Sequence, residues 1–154
     1  VISPTSEPTK ISTASFSTCE DLGWTNAPVY GSTNVCGESD FMLKGCSGSL
    51  SFLESVQFCE SPGARLCTAE ELQADEARGT GCSGDNLLVR SSDKCTGGHI
   101  VTIGSSRGSS ASCRSDESIF LVRCCADVES TRRLAPGISL DVKSHHLRGT
   151  MSSI

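Results

Sequence analysis

Ten cysteines are the residues of this sequence best equipped for chemistry: Cys19, Cys36, Cys46, Cys59, Cys67, Cys82, Cys95, Cys113, Cys124 and Cys125. A thiol can attack a substrate, ligate a metal or join a second thiol, and spacing separates these roles. Zinc sites are built on close pairs such as C-x-x-C. Successive cysteines here lie 17, 10, 13, 8, 15, 13, 18, 11 and 1 residues apart, and no such pair occurs. An even count at those intervals predicts five disulfides, each typically contributing about 2–4 kcal/mol, in an oxidising compartment: secreted, cell-surface or lumenal. Thiols locked in bridges are inert. No metal and no cofactor is expected.

The remaining candidates divide by the chemistry they would need. Ser-His-Asp hydrolysis requires a usable imidazole. His99 alone lies between the cysteines, in a strand-like segment where a structural role is the commoner one, and the adjacent His145 and His146 form a poor chelate. Glu70, Glu71, Asp75 and Glu76 cluster, with 71 and 75 on one helical face. Buried, two of them could exchange protons, but a solvated face that completes a helix cap is the simpler reading. No catalytic residue is expected. Arg90, Lys94, Arg107 and Arg114 fall within residues 83–118, a Gly- and Ser-rich stretch that could hold an acidic sugar.

The elements that position these residues follow from local signals. Ser51–Glu54 is a capping box opening a helix through Glu60, with Phe52, Leu53, Val56 and Cys59 at helical spacing and Pro62-Gly63 beyond. Thr68–Glu71 is a second capping box, predicting a helix to Arg78 that stops at Gly79. Short strand-like pieces follow at Asn86–Arg90, His99–Ile103 and Ser118–Cys125. Two helices before several strands define an α+β domain.

That domain is expected at 19–126, with a cysteine-bonded extension at 19–48 and a core at 49–126. It carries eight basic and fourteen acidic residues in a chain of 154 whose net charge is −5. An acidic balance excludes the basic stripe of a nucleic-acid binder and the polybasic segment of a lipid anchor. No apolar run approaches the roughly 18 residues of a membrane span. Residues 1–18 are rich in Ser and Thr with Pro4 and Pro8, suiting an O-glycosylated stalk or a flexible linker. Alternation from Ile11 through Thr13 and Phe16 to Thr18 also allows a strand laid on a neighbour. Residues 127–154 form a second polar tail without sustained periodicity. The chain opens at Val1 on polar sequence, so a mature form whose targeting segment has been removed is expected.

Ser51–Glu71, SFLESVQFCESPGARLCTAEE, resembles the first two helices of C-type-lectin-like domains, including hyaluronan-binding link modules. GARLCTAEELQADEARG and GSSRGSSASCRSDESIFLVRCC are similar to stretches of formylglycine-generating enzymes, a variant of that fold, with Cys67 where that family has proline. A narrower resemblance is to cysteine-rich modules of secreted algal and protist proteins, carried by CEDLGW, VCGESD, GARLCTAEEL, GTGC and RCCAD. The lectin-like resemblance implies a bond from Cys59 to Cys124 or Cys125, and another between Cys95 and Cys113. By parity at least one of Cys19, Cys36 and Cys46 must then cross into the core. In a strand Cys124 and Cys125 face opposite ways and serve different partners.

The resemblance does not extend to calcium-dependent sugar binding, which needs a proline-bearing loop of oxygen ligands. No proline lies between Pro62 and Pro136, and Asp85-Asn86 reads as a turn. The expectation is a non-catalytic extracellular module, structural or adhesive, assembling through its tails with itself, as in a filament, or with other subunits. The alternative is a monomeric glycan- or protein-binding module using residues 83–118. Third is a formylglycine-generating-like enzyme, which would need reactive copper-binding cysteines.

Overall fold

The computed structural model describes residues 15–25, 30–32, 34–40 and 45–129. Three short helices and seven strands occur among them. In chain order they are α1 (Cys19–Leu22), β1 (Val35–Glu38), α2 (Phe52–Glu60), β2 (Arg65–Leu66), α3 (Ala69–Gln73), β3 (Leu88–Cys95), β4 (Gly98–Ile103), β5 (Ser112–Ser115), β6 (Leu121–Val122) and β7 (Cys124–Asp127). The domain is α+β and disulfide-rich.

All three helices open on capping boxes, and each satisfies two orphan amides reciprocally. Thr18 pairs with Asp21, Ser51 with Glu54, and Thr68 with Glu71. The first of these, Thr18-x-x-Asp21, starts a four-residue helix absent from the sequence reading. Gly23 ends it in the left-handed region, at φ 75°, where a side chain would be strained. On α2, Val56 and Cys59 face inward and Leu53 faces solvent.

The expected helix 69–78 stops at Gln73. Asp75 adopts φ 69°, and its carboxylate accepts hydrogen bonds from the Ser106 amide and hydroxyl, both at 2.8 Å. A contact thirty-one residues away captures the chain before the helix can continue. Those bonds, with Arg78 beside them, outweigh the upward push of burial and hold the Asp75 pKa below the usual carboxylate value. A depressed folded-state pKa means the stabilisation is fully present above the unfolded value of about 3.9 and fades as pH falls through the folded value. Asp75→Asn is expected to cost about 1–2 kcal/mol at neutral pH. The gap from the native chain should narrow on acidification, read by denaturant unfolding at both pH values; a gap that widens would refute the assignment.

The strands make two sheets rather than one small antiparallel sheet. β1-β7-β2 is antiparallel with β7 in the centre. The other has the order β5-β4-β3-β6, antiparallel except for the parallel pair β3/β6. The single strand expected over 118–125 is divided between the sheets at Arg123. Strand β3 runs on past Arg90 to Cys95, because its polar second half pairs with β4 across a bulge.

One face of the larger sheet carries Phe52 and Val56 of α2 around Val122, Cys59, Cys124, Ala64 and Leu66. The other packs Leu72, Ala77, Cys67 and Cys125 on Val89. Cys19, Cys36 and Ala126 form a third cluster. Every cluster contains sulfur.

Candidate functional site

The bonds are Cys19–Cys36, Cys46–Cys82, Cys59–Cys124, Cys67–Cys125 and Cys95–Cys113, and no cysteine is free. Cys59–Cys124 and Cys95–Cys113 are the two pairings that the lectin-like resemblance implied. Cys46–Cys82 is the bond that crosses from the extension into the core. Adjacent Cys124 and Cys125 bond into separate clusters on opposite sides of β7, as strand alternation requires.

The basic residues singled out in the sequence part company. Lys94, His99 and Arg114 lie in register across β3, β4 and β5, so their side chains share one sheet face. Arg90, the last paired residue before the bulge and opposite Val101, lies on that face as well. It is wholly enclosed, unlike the loop-surface cation expected. Burial lowers its pKa and Asp116 partly offsets this. Its guanidinium carbon lies 5.1 Å from the centre of the Phe120 ring and 5.9 Å from that of Phe52. Nη2 donates to the carbonyls of Ser115 and Ser118, at 3.2 and 2.6 Å. Arg114 also lies over Phe120, at 5.4 Å. Arg107 is exposed, reaching only Asn86 Oδ1 at 3.5 Å, and stands apart from the others.

His99 stacks on Phe52 with ring centres 3.6 Å apart, and its Nδ1 meets Asp116 Oδ1 at 2.7 Å. An acid on Nδ1 is how a hydrolytic triad orients its imidazole. Among the described residues, however, no serine or threonine hydroxyl bonds to His99, and the ring is clamped by its aromatic neighbour.

Three carboxylates of the expected acidic cluster, Glu71, Asp75 and Glu76, are spent internally. Glu71 accepts two bonds from Arg65, at 2.9 Å each, and one from the Thr68 amide. Arg65 also reaches Asp127 at 2.9 Å. Burial opposes the Arg65 charge, but the hydrogen bonds to Glu71 and Asp127 outweigh it and raise its pKa above the ordinary arginine value. Glu76 is buried and accepts the Ser32 amide. Glu70 is exposed. Asp85 accepts the Gly79 amide and pairs with Arg123 at 2.9 Å, a structural role rather than a ligand's. Among the described residues, one group has the composition of a metal site: Cys67, Glu71 and Cys125. Its two sulfurs are bonded to each other.

Arg123 is the residue that sequence reasoning passed over. It is fully buried, donating Nε to Ser39 Oγ at 2.9 Å, Nη1 to the Gly104 carbonyl at 2.8 Å and Nη2 to the Gly81 carbonyl at 3.1 Å. Gly84 presses so close that a Cβ there would lie 2.7 Å from the guanidinium carbon. A lone charge in the apolar run Phe120–Cys125 was the signal. Of the residues suggested for assembly, Phe16 is half-buried, whereas Ile11 and Thr13 lie outside the described residues, as do His145 and His146. Comparison with protein-family models, with characterised proteins and with solved structures finds no match to this chain.

Proposed function

We propose that this chain is a non-catalytic module of the extracellular space, structural or adhesive, that assembles with copies of itself or with other protein subunits. The observation that carries the reading is the complete consumption of its thiols: ten cysteines, five bonds, none free. Such a density of disulfides suits an oxidising compartment and stiffens a domain whose clusters are small. Among the described residues no helix is long and apolar enough to cross a membrane. The reactive side chains also point to a scaffold, since Glu71, Arg65, Asp75 and Arg123 all bond within the domain.

Within this reading we assign the C-type-lectin-like arrangement. Its support is a helix cysteine bonded to the closing strand, Cys59–Cys124, with a second bond, Cys95–Cys113, across the intervening strands. The assembling element is the alternating segment that begins at Ile11, added as a strand to the sheet edge of a neighbour. Its reach is set by its root: the Ser17 amide donates to the Gly63 carbonyl at 2.9 Å, Thr18 caps α1, and Thr18 bridges Asp127. Residues before Ser17 are the ones to supply it.

Deletion of 1–14 leaves that root intact and is expected to convert an associated species to monomer by size exclusion and light scattering. An unchanged profile would refute assembly through this segment. Titration of the denatured, unreduced chain is expected to find no alkylatable thiol, and a reactive one would reopen the enzymatic reading.

A further inference from the structure

An open groove of about 420 Å³ has Leu87, Leu88, Ile103, Ile119 and Leu121 in its walls, and a further wall residue, Phe120, packs on the buried Arg90. Its size falls within the roughly 300–1,000 Å³ of small-ligand pockets. Its lining is predominantly hydrocarbon, and two of its walls are large side chains left in water: Leu87 at 48% and Ile119 at 59% exposure. Leu88 and Ile103 are cross-strand partners, and Leu88 is two residues from Arg90 on β3. All three therefore share one face of the sheet. Phe120 is common to both places, lining the groove and lying 5.1 Å from the Arg90 guanidinium.

The three buried arginines differ in what they hold. Arg65 has two carboxylates, and Arg123 has Asp85 and a partner on every nitrogen. Arg90 has no carboxylate within hydrogen-bonding distance, and its Nε and Nη1, both buried against the Phe52 and Phe120 rings, have no hydrogen-bond partner. An unpaired buried donor costs about 1–3 kcal/mol, more on a cation, and such groups in native structures call for an explanation. Arg90 and Arg114 both lie against Phe120, while Asp116, whose charge acts on Arg90 from beyond hydrogen-bonding distance, makes its hydrogen bond to His99.

We propose that the groove binds a small amphiphilic anion of the fatty-acid type. Its hydrocarbon lies along Leu87, Leu88, Ile103 and Ile119, and its carboxylate reaches Arg90 as the Phe120 side chain turns aside. A sugar would leave its hydroxyls facing carbon, at a cost for each one desolvated. A second copy of the chain would need roughly 1,000 Å² or more of contact, well beyond a groove with eight lining residues. A medium-length acid matches both the volume and the charge. This site is independent of assembly through the N-terminal segment.

The test titrates the native, oxidised chain with 8-anilinonaphthalene-1-sulfonate and then displaces that probe with dodecanoate or dodecanol. The expected result is saturable fluorescence at a single site, displaced by dodecanoate about tenfold more readily than by the uncharged alcohol. Ile119→Ser, at an exposed position that leaves the fold alone, is expected to weaken both probe and dodecanoate about tenfold. Arg90→Met is expected to erase the preference for the acid while the alcohol still binds. Absence of saturable binding, equal displacement by acid and alcohol, or an unaltered Ile119→Ser variant would each overturn the proposal. Should Arg90→Met fail to fold, the comparison of acid with alcohol on the native chain decides the charge, and Ile119→Ser decides the place.

Discussion

Arg123→Met is expected to cost about 3–5 kcal/mol, the range found when one member of a buried charged pair is removed. The native side chain is fully enclosed, and its three nitrogens hold Ser39 Oγ, the Gly104 and Gly81 carbonyls and Asp85. Methionine fills much of the space but satisfies none of these acceptors, each of which then bears its own desolvation cost. Burial lowers the Arg123 pKa, and Asp85 and then Glu38 work against it. The guanidinium is thus the ion that collects loops from three parts of the chain, around Ser39, Gly81–Asp85 and Gly104. Arg123→Lys keeps the charge but not the planar fork, so it is expected to recover only part of the loss. A domain of this size is stable by about 5–15 kcal/mol in total, so the methionine variant should unfold at markedly lower denaturant concentration. A loss below about 1 kcal/mol would show that loops and disulfides hold this corner without the cation.

How far the sequence foretold this structure depends on how far apart the interacting residues are. Capping boxes act over three residues, so Ser51–Glu54 and Thr68–Glu71 were readable, and Thr18–Asp21 was equally readable on the same rule. The end of α3 was not, because Ser106 determines it from thirty-one positions away. Strand β3 was read as far as Arg90, where apolar residues stop; its Ser-Ser-Asp-Lys half is a strand only by virtue of β4. Arg90 looked like a loop cation for the same reason. A charge two residues from Leu88 on a central strand faces whatever covers the sheet, and here Phe52 and Phe120 cover it. Alternation at Cys124 and Cys125 was a local inference and matches their separate bonds. Cys19–Cys36, Cys46–Cys82 and the choice of Cys67 for Cys125 had no local signal.

The consecutive cysteines of β7 also make a quantitative prediction. Cys59–Cys124 and Cys67–Cys125 close loops of 65 and 58 residues that are almost the same loop. While either bond stands, the long loop remains closed, and the other bond adds only the small ring between Cys59 and Cys67. Chain entropy then assigns each single removal about 3 kcal/mol, the value for a loop of 10–15 residues. Removing both also releases the long loop, so the combined loss should exceed the sum of the single losses by about 1–2 kcal/mol. Each removal is made with paired alanines, Cys59→Ala with Cys124→Ala and Cys67→Ala with Cys125→Ala, which leaves no odd thiol to reshuffle. All four chains are compared by denaturant unfolding at one fixed sucrose concentration, chosen so that the weakest remains folded at the outset. Both bonds are fully buried, so cavities add to every loss, but on opposite sides of β7 they add independently. Losses additive to within about 0.5 kcal/mol would mean that the unfolded chain does not gain that freedom. The bonds would then act through packing in the native state rather than through the entropy of the chain.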